Sequence, residues 1–232
     1  MITLVIFLCL ALYVCSGLYK GFIWNLAVLC SSLISCVLAF ALMIPLANLI
    51  RSNESIYDAM LSYTEGAEHI YDVELRKLTV DEITAEQLDD IMEKTDLVFP
   101  FGQRVRKNIE LKRFENEGIT TLGEYFNESM VRVIINIISF LLIYLVCRVI
   151  STFLICWYDY TFKFKKLRKF DWLVGGGIGI LRGILGLSII FMLIPIVLTI
   201  LDFDVVREMF EENIFASFFH KSNLLLSIIP GK

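Results

Sequence analysis

Residues 172–201 read WLVGGGIGILRGILGLSIIFMLIPIVLTIL, a stretch whose only charge is Arg182. A helix crosses a bilayer core with roughly 20 apolar residues, so this stretch predicts a membrane span. Three others lie upstream. Residues 131–158 carry only Arg132 and Arg148, and residues 22–50 and 2–19 carry no charge. The whole chain of 232 residues is 57% hydrophobic, with a mean hydropathy of +0.70. That composition disfavours both a soluble globular domain and a disordered chain. The fold class it predicts is an all-α membrane protein, with four transmembrane helices and a helical extracytoplasmic insertion between helices two and three. The formal net charge of −4 says little, because the charges are segregated. Residues 51–130 hold 18 acidic and 9 basic residues, more than half of the charges in the chain.

The first segment lacks the basic start and the small-residue cleavage site of a signal peptide, so it is read as a retained helix. Gly17-Leu18-Tyr19-Lys20-Gly21 then makes a tight turn into helix two. Orientation follows from Lys and Arg near the span ends. The densest basic cluster is Lys163, Lys165, Lys166, Arg168 and Lys169, in the connection 159–171 between helices three and four. That places the connection and the Lys20 turn in the cytoplasm, and both termini with the 51–130 block outside. The cluster reads first as a topology signal. Contact with anionic lipid, at about 1 kcal/mol per basic residue near the surface, is the sharper alternative.

The division expected is a transmembrane hairpin over 1–50, the charged insertion over 51–130, helices three and four over 131–201, and an amphipathic tail over 202–232. Within the insertion, Thr79-Val80-Asp81-Glu82 fits a capping box leading a helix to Lys94. Asp96 to Gly102 breaks the pattern, and a second helix is expected over Gln103–Phe114. The insertion is poor in apolar residues, so it is expected to pack on itself and on the helix ends. The tail begins acidic and turns apolar in runs too short to span, which suits an interfacial or partner-packing helix.

Helix four carries the informative pattern. At 100° per residue, Gly175, Gly179, Gly183 and Gly186 fall within an arc of roughly 80°. Small residues so spaced let helix backbones approach closely in lipid, either within one chain or between two copies. Arg182 lies on the same side, about ten residues into the span. A charge there costs about 2.5 kcal/mol or more, and no Asp or Glu occurs in the four charge-poor stretches. Its candidate partners are Asn25, Asn136, Ser31, Ser32, Ser35, carbonyls freed near Pro45, a lipid phosphate, water, or Asp171 by snorkelling. Arg148 is expected to snorkel toward the cytoplasmic surface. Pro45 and Pro195 each remove a helix hydrogen bond and permit a kink.

Reaction chemistry is not written here. HExxH, CxxC and GxSxG do not occur, and the two histidines, His69 and His220, are far apart. Gly177-Ile178-Gly179 opens like a dinucleotide loop, but Arg182 stands where the third glycine belongs and no strand precedes it. All six cysteines fall within the spans, so neither a disulfide framework nor a zinc site is expected. No cofactor, metal or nucleic-acid partner is implied.

Four stretches together resemble the colicin V production protein family. Lys20-Gly21-Phe22 resembles its basic-Gly-Phe turn, and Phe170-Asp171-Trp172-Leu173-Val174-Gly175 through Leu185 resembles its glycine-rich fourth helix. Ile119 to Tyr125 with Ile134 to Phe140, and the tail from Asn213 to Leu226, resemble the third-helix entry and the closing segment of Gram-positive members. The resemblance implies a four-helix protein of the bacterial cytoplasmic membrane, associated with colicin V or toxin production or export and with envelope upkeep. Many members carry an acid where this chain has Asn25, which weakens any acid–arginine pairing with Arg182. Some carry a C-terminal serine protease domain, which this sequence is not expected to have. The expected function is a non-enzymatic scaffold, oligomeric through the glycine face, with further copies or other membrane proteins as its partners. The alternative is a small channel or transporter with an anion path through Arg182.

Overall fold

The structure is a computed structural model that describes residues 2–95, 97–164, 170–200 and 213–231. The described residues are helical, apart from turns and one isolated bridge between Thr79 and Thr121. The helices are α1 (Ile2–Lys20), α2 (Phe22–Arg51), α3 (Glu54–Thr64), α4 (Val73–Lys77), α5 (Ala85–Lys94), α6 (Phe101–Glu110), α7 (Leu122–Phe162), α8 (Asp171–Phe191), α9 (Ile194–Ile200), α10 (Ile214–Lys221) and α11 (Leu224–Ile228). Four helical stretches are long and apolar enough to cross a membrane: α1, α2, α7, and Asp171–Thr199, which takes in α8 and most of α9. The two prolines act differently. Pro45 sits inside an unbroken α2, whereas α8 ends at Phe191, ahead of Pro195 in the first turn of α9.

The chain divides into two compact units, whose boundaries differ from the sequence divisions because they cut through α2 and α7. The first holds described residues 2–44, 139–164, 170–191 and 213–223. The second holds described residues 45–95, 97–138, 192–200 and 224–231. The tail read as one segment is therefore shared between the two.

In the first unit, α1 lies along α8. The tail helix α10 joins both: Asn213 Nδ2 donates to Thr3 Oγ1 at 2.6 Å, and Phe215 meets Phe7 edge-on at 5.2 Å. Asn223 Nδ2 donates to the Ser188 carbonyl at 2.7 Å. Between α2 and α7, Ser32 and Tyr144 share a hydrogen bond of 2.8 Å, and Phe40 packs on Phe140 at 4.7 Å.

The second unit is built on the first turns of α7. At 1.5 Å per residue its 41 residues extend roughly 60 Å, twice a bilayer core. Leu122, Tyr125, Phe126, Met130 and Ile134 of that end are buried with Phe101, Val105 and Ile109 of α6 and with Phe114. The insertion thus has a core of its own, richer than its overall composition suggests, because its apolar residues are concentrated on α6 and the extension of α7. The Thr79 capping box is present, with the Thr79 N–H donating to Glu82 at 3.2 Å, but it opens only a 3-10 turn. The α-helix begins a turn later, under a second box in which Thr84 caps Gln87. The helix expected over Gln103–Phe114 runs from Phe101 to Glu110.

Candidate functional site

The glycine stripe of α8 meets α1 along its length. A Cβ on Gly179 would lie 2.6 Å from the Tyr13 carbonyl oxygen, and one on Gly175 would lie 2.9 Å from the carbonyl carbon of Gly21. On Gly183 it would meet Leu10 at 2.9 Å, and on Gly186 the Tyr13 hydroxyl at 2.6 Å. A Cβ on Gly17, from the α1 side, would collide with the Gly175 carbonyl. Of the two readings of the stripe, packing within the chain is therefore the one found. A second copy has no access to that face while α1 occupies it.

Close approach brings the end of α1 onto the start of α8. Gly21 has φ +83°, and a Cβ there would strike the Asp171 carboxylate. Asp171 Oδ1 instead accepts the Phe22 N–H at 3.2 Å, satisfying a donor in the first turn of α2. The Lys20 turn and the start of α8 thus lie at one end of the first unit.

Arg182 is half-buried beside that seam. Its Nη1 donates to Asn25 Oδ1, and its guanidinium sits 5.7 Å from the ring centre of Tyr13 and 5.2 Å from that of Trp24. Asn25 is fully buried and turns its other end to the backbone: Nδ2 donates to the Gly17 carbonyl at 3.1 Å and to the Gly21 carbonyl at 2.6 Å. One amide therefore accepts from the arginine and supplies donors to carbonyls around the α1–α2 turn. A neutral acceptor and two π faces stand where an acid might have been. The Asn25 partnership was among those foreseen. The aromatic pair was not, although Tyr13 and Trp24 stand on either side of the Gly17–Gly21 turn.

The other polar residues singled out from the sequence lie elsewhere. Arg148 does not simply snorkel: its Nη1 donates to Ser31 Oγ at 2.8 Å. Asn136 belongs to the second unit, where its Nδ2 donates to the Pro230 carbonyl at 2.8 Å. Lys163 follows the end of α7 with φ +50° and donates its N–H to the Asp159 carbonyl at 3.0 Å. Lys165, Lys166, Arg168 and Lys169 lie outside the described residues, as does the acidic start of the tail. A groove of about 390 Å³ is lined by Tyr19, Lys20, Trp24, Asp159, Lys163 and Phe164.

Among the described residues no group of three or more His, Cys, Asp or Glu is placed to hold a metal. His220 is buried, and burial, with the Lys221 charge beside it, pushes its pKa down to about 4.

Comparison with curated proteins and with solved structures finds no match. The family model described as colicin V production protein matches residues 117–223. The Lys20-Gly21-Phe22 turn lies upstream of the matched segment, while the glycine stripe and Arg182 lie within it. Residues 117–223 of this multi-pass membrane chain, the segment holding α7, α8, α9 and α10, are thus similar to the colicin V production protein family.

Proposed function

We propose that the protein is a non-enzymatic scaffold of a bacterial cytoplasmic membrane, serving colicin V or toxin production or export and the upkeep of the envelope. The observation that carries this reading is the setting of Arg182. Its contacts run to Asn25, Tyr13 and Trp24, so the charge ties α8 to α1 and α2. A group that conducts an anion needs donors turned to a path, whereas this guanidinium is engaged by an amide on one edge and faced by two rings. The scaffold therefore stands ahead of the anion path. Partners meet it on surfaces other than the glycine seam, which α1 fills. Both termini and the insertion face the outside of the membrane, with the Lys20 turn and the basic connection in the cytoplasm.

The two readings part in a bilayer. Purified full-length protein in planar membranes should pass no chloride or phosphate current. An anion current abolished by Arg182→Ala would replace the scaffold with a channel. In native membranes, a photo-crosslinker at Leu8, on the exposed face of α1, should capture a discrete partner protein. Capture of lipid alone would argue against a scaffold. A cysteine at Glu86 should react with an impermeant thiol reagent in intact cells, and protection there would reverse the orientation.

A further inference from the structure

The ion pairs of Lys77, Lys94, Arg106, Lys112 and Arg132 all lie in the second unit. Lys20, Arg148, Lys163 and Arg182 of the first unit form none among the described residues. Two of these, Lys20 and Lys163, stand at the ends of α1 and α7, and both line the groove described above. Lys20 Nζ lies 5.3 Å from the Trp24 ring centre, which also carries Arg182 at 5.2 Å. The Trp24 ring is thus approached by two cations, and no carboxylate pairs with either. Asp159, the acid in the groove, has Oδ1 occupied by the Phe164 N–H at 3.2 Å.

We propose that this groove holds the phosphodiester of an anionic phospholipid whose headgroup carries hydroxyls, the chemistry of a phosphatidylglycerol. Its walls are the ends of three membrane-crossing helices, which puts it at the depth of the headgroups. Tyr19, Trp24 and Phe164 supply the aromatic surface that favours that layer. Among the described residues that line it, two lysines stand against one aspartate, an excess of positive charge that suits a phosphodiester. The second oxygen of Asp159 accepts from a headgroup hydroxyl. The ammonium groups of Lys20 and Lys163 donate to the phosphate as point charges. A free phosphate ion shares the anion chemistry but brings no acyl chains for the aromatic wall.

Native mass spectrometry of the full-length protein, released from detergent with phosphatidylglycerol or phosphatidylcholine added, tests this. The wild type should retain phosphatidylglycerol at least tenfold more than phosphatidylcholine. Each of Lys20→Gln and Lys163→Gln should lower that preference about fivefold, while Lys20→Arg should keep most of it. Lys221→Gln, a change at a lysine outside the groove, should leave it unchanged. Glycerol phosphate and inorganic phosphate at millimolar concentration should not displace the lipid. Equal retention of the two lipids, or full retention by the folded double variant, would overturn the proposal. Displacement by inorganic phosphate would assign the groove to a free anion instead.

Discussion

Arg132 and Arg182 are both partly buried arginines on long apolar helices, and they are handled in opposite ways. Arg132, in the second unit, pairs with Glu128 through Nε and with Glu117 through Nη2, and stacks 4.5 Å from the centre of the Phe114 ring. Glu128 also accepts from the Tyr57 hydroxyl. Burial, together with that carboxylate, pushes the Tyr57 pKa up. Arg182 has an amide and two rings. The difference follows from what surrounds each residue. The second unit is rich in acids, and opposite charges there are strong once both are withdrawn from water. The first unit has spans free of acids, so its cation rests on dipoles and π faces, each weaker than an ion pair but free of a second charge to desolvate.

The contrast can be broken at several points. Glu128→Ala should have the largest effect, because it leaves Arg132 with only Glu117 and takes the acceptor from the Tyr57 hydroxyl inside the second unit. Losing one partner of a buried pair costs about 3–5 kcal/mol, readable as loss of hydrogen-exchange protection over 97–138. Protection like that of the wild type would mean the pair is superficial.

His220 sharpens the same point, since it is a basic group of the first unit kept neutral by burial. Its folded pKa of about 4 lies below the unfolded value of 6.5, so the unfolded chain takes up the proton first. The stability from neutral His220 is complete above pH 6.5 and is lost as pH falls toward 4, on the order of 3 kcal/mol. Thermal midpoints in detergent should fall across that window, and His220→Phe should remove the slope that His220 contributes.

Gly179→Leu should cost about 1–3 kcal/mol or more by forcing α1 off the Tyr13 carbonyl. Gly177→Leu should be nearly silent, since nothing lies within 4 Å of its Cβ position. Equal effects would mean that the seam is not tight. The smallest change belongs to the exposed pair of Lys77 and Glu74, with side chains 68% and 81% accessible. Lys77→Ala should leave the midpoint unmoved within error, as exposed pairs contribute little.

Much of this contrast was legible beforehand, and the reasons it stops are physical. Charge-free runs long enough to span locate α1, α2, α7 and α8, because hydrocarbon admits little else. Helical spacing brings the four glycines to one face, but spacing cannot name what fills it. The occupant, α1, is marked only by Gly17 and Tyr13, which look ordinary in an apolar run. Asn25 could be listed among candidates for Arg182, yet its reach back to the Gly17 and Gly21 carbonyls depends on the φ +83° turn at Gly21. The Thr84 box was missed because the similar Thr79 box precedes it by five residues. The core of the insertion was underestimated for a related reason: overall composition hides apolar residues that helix geometry gathers onto one face.

The most direct measurement is a double-mutant cycle on Arg182 and Asn25, with Arg182→Met and Asn25→Leu, read as unfolding free energy of the full-length protein in detergent micelles. If the arginine is a clamp closed by that amide, each single change strands the other partner. The double variant then loses less than the sum of the two, with a coupling of about 1–2 kcal/mol. Losses that add to within about 0.3 kcal/mol would contradict the clamp and return Arg182 to the list of groups free to meet an anion.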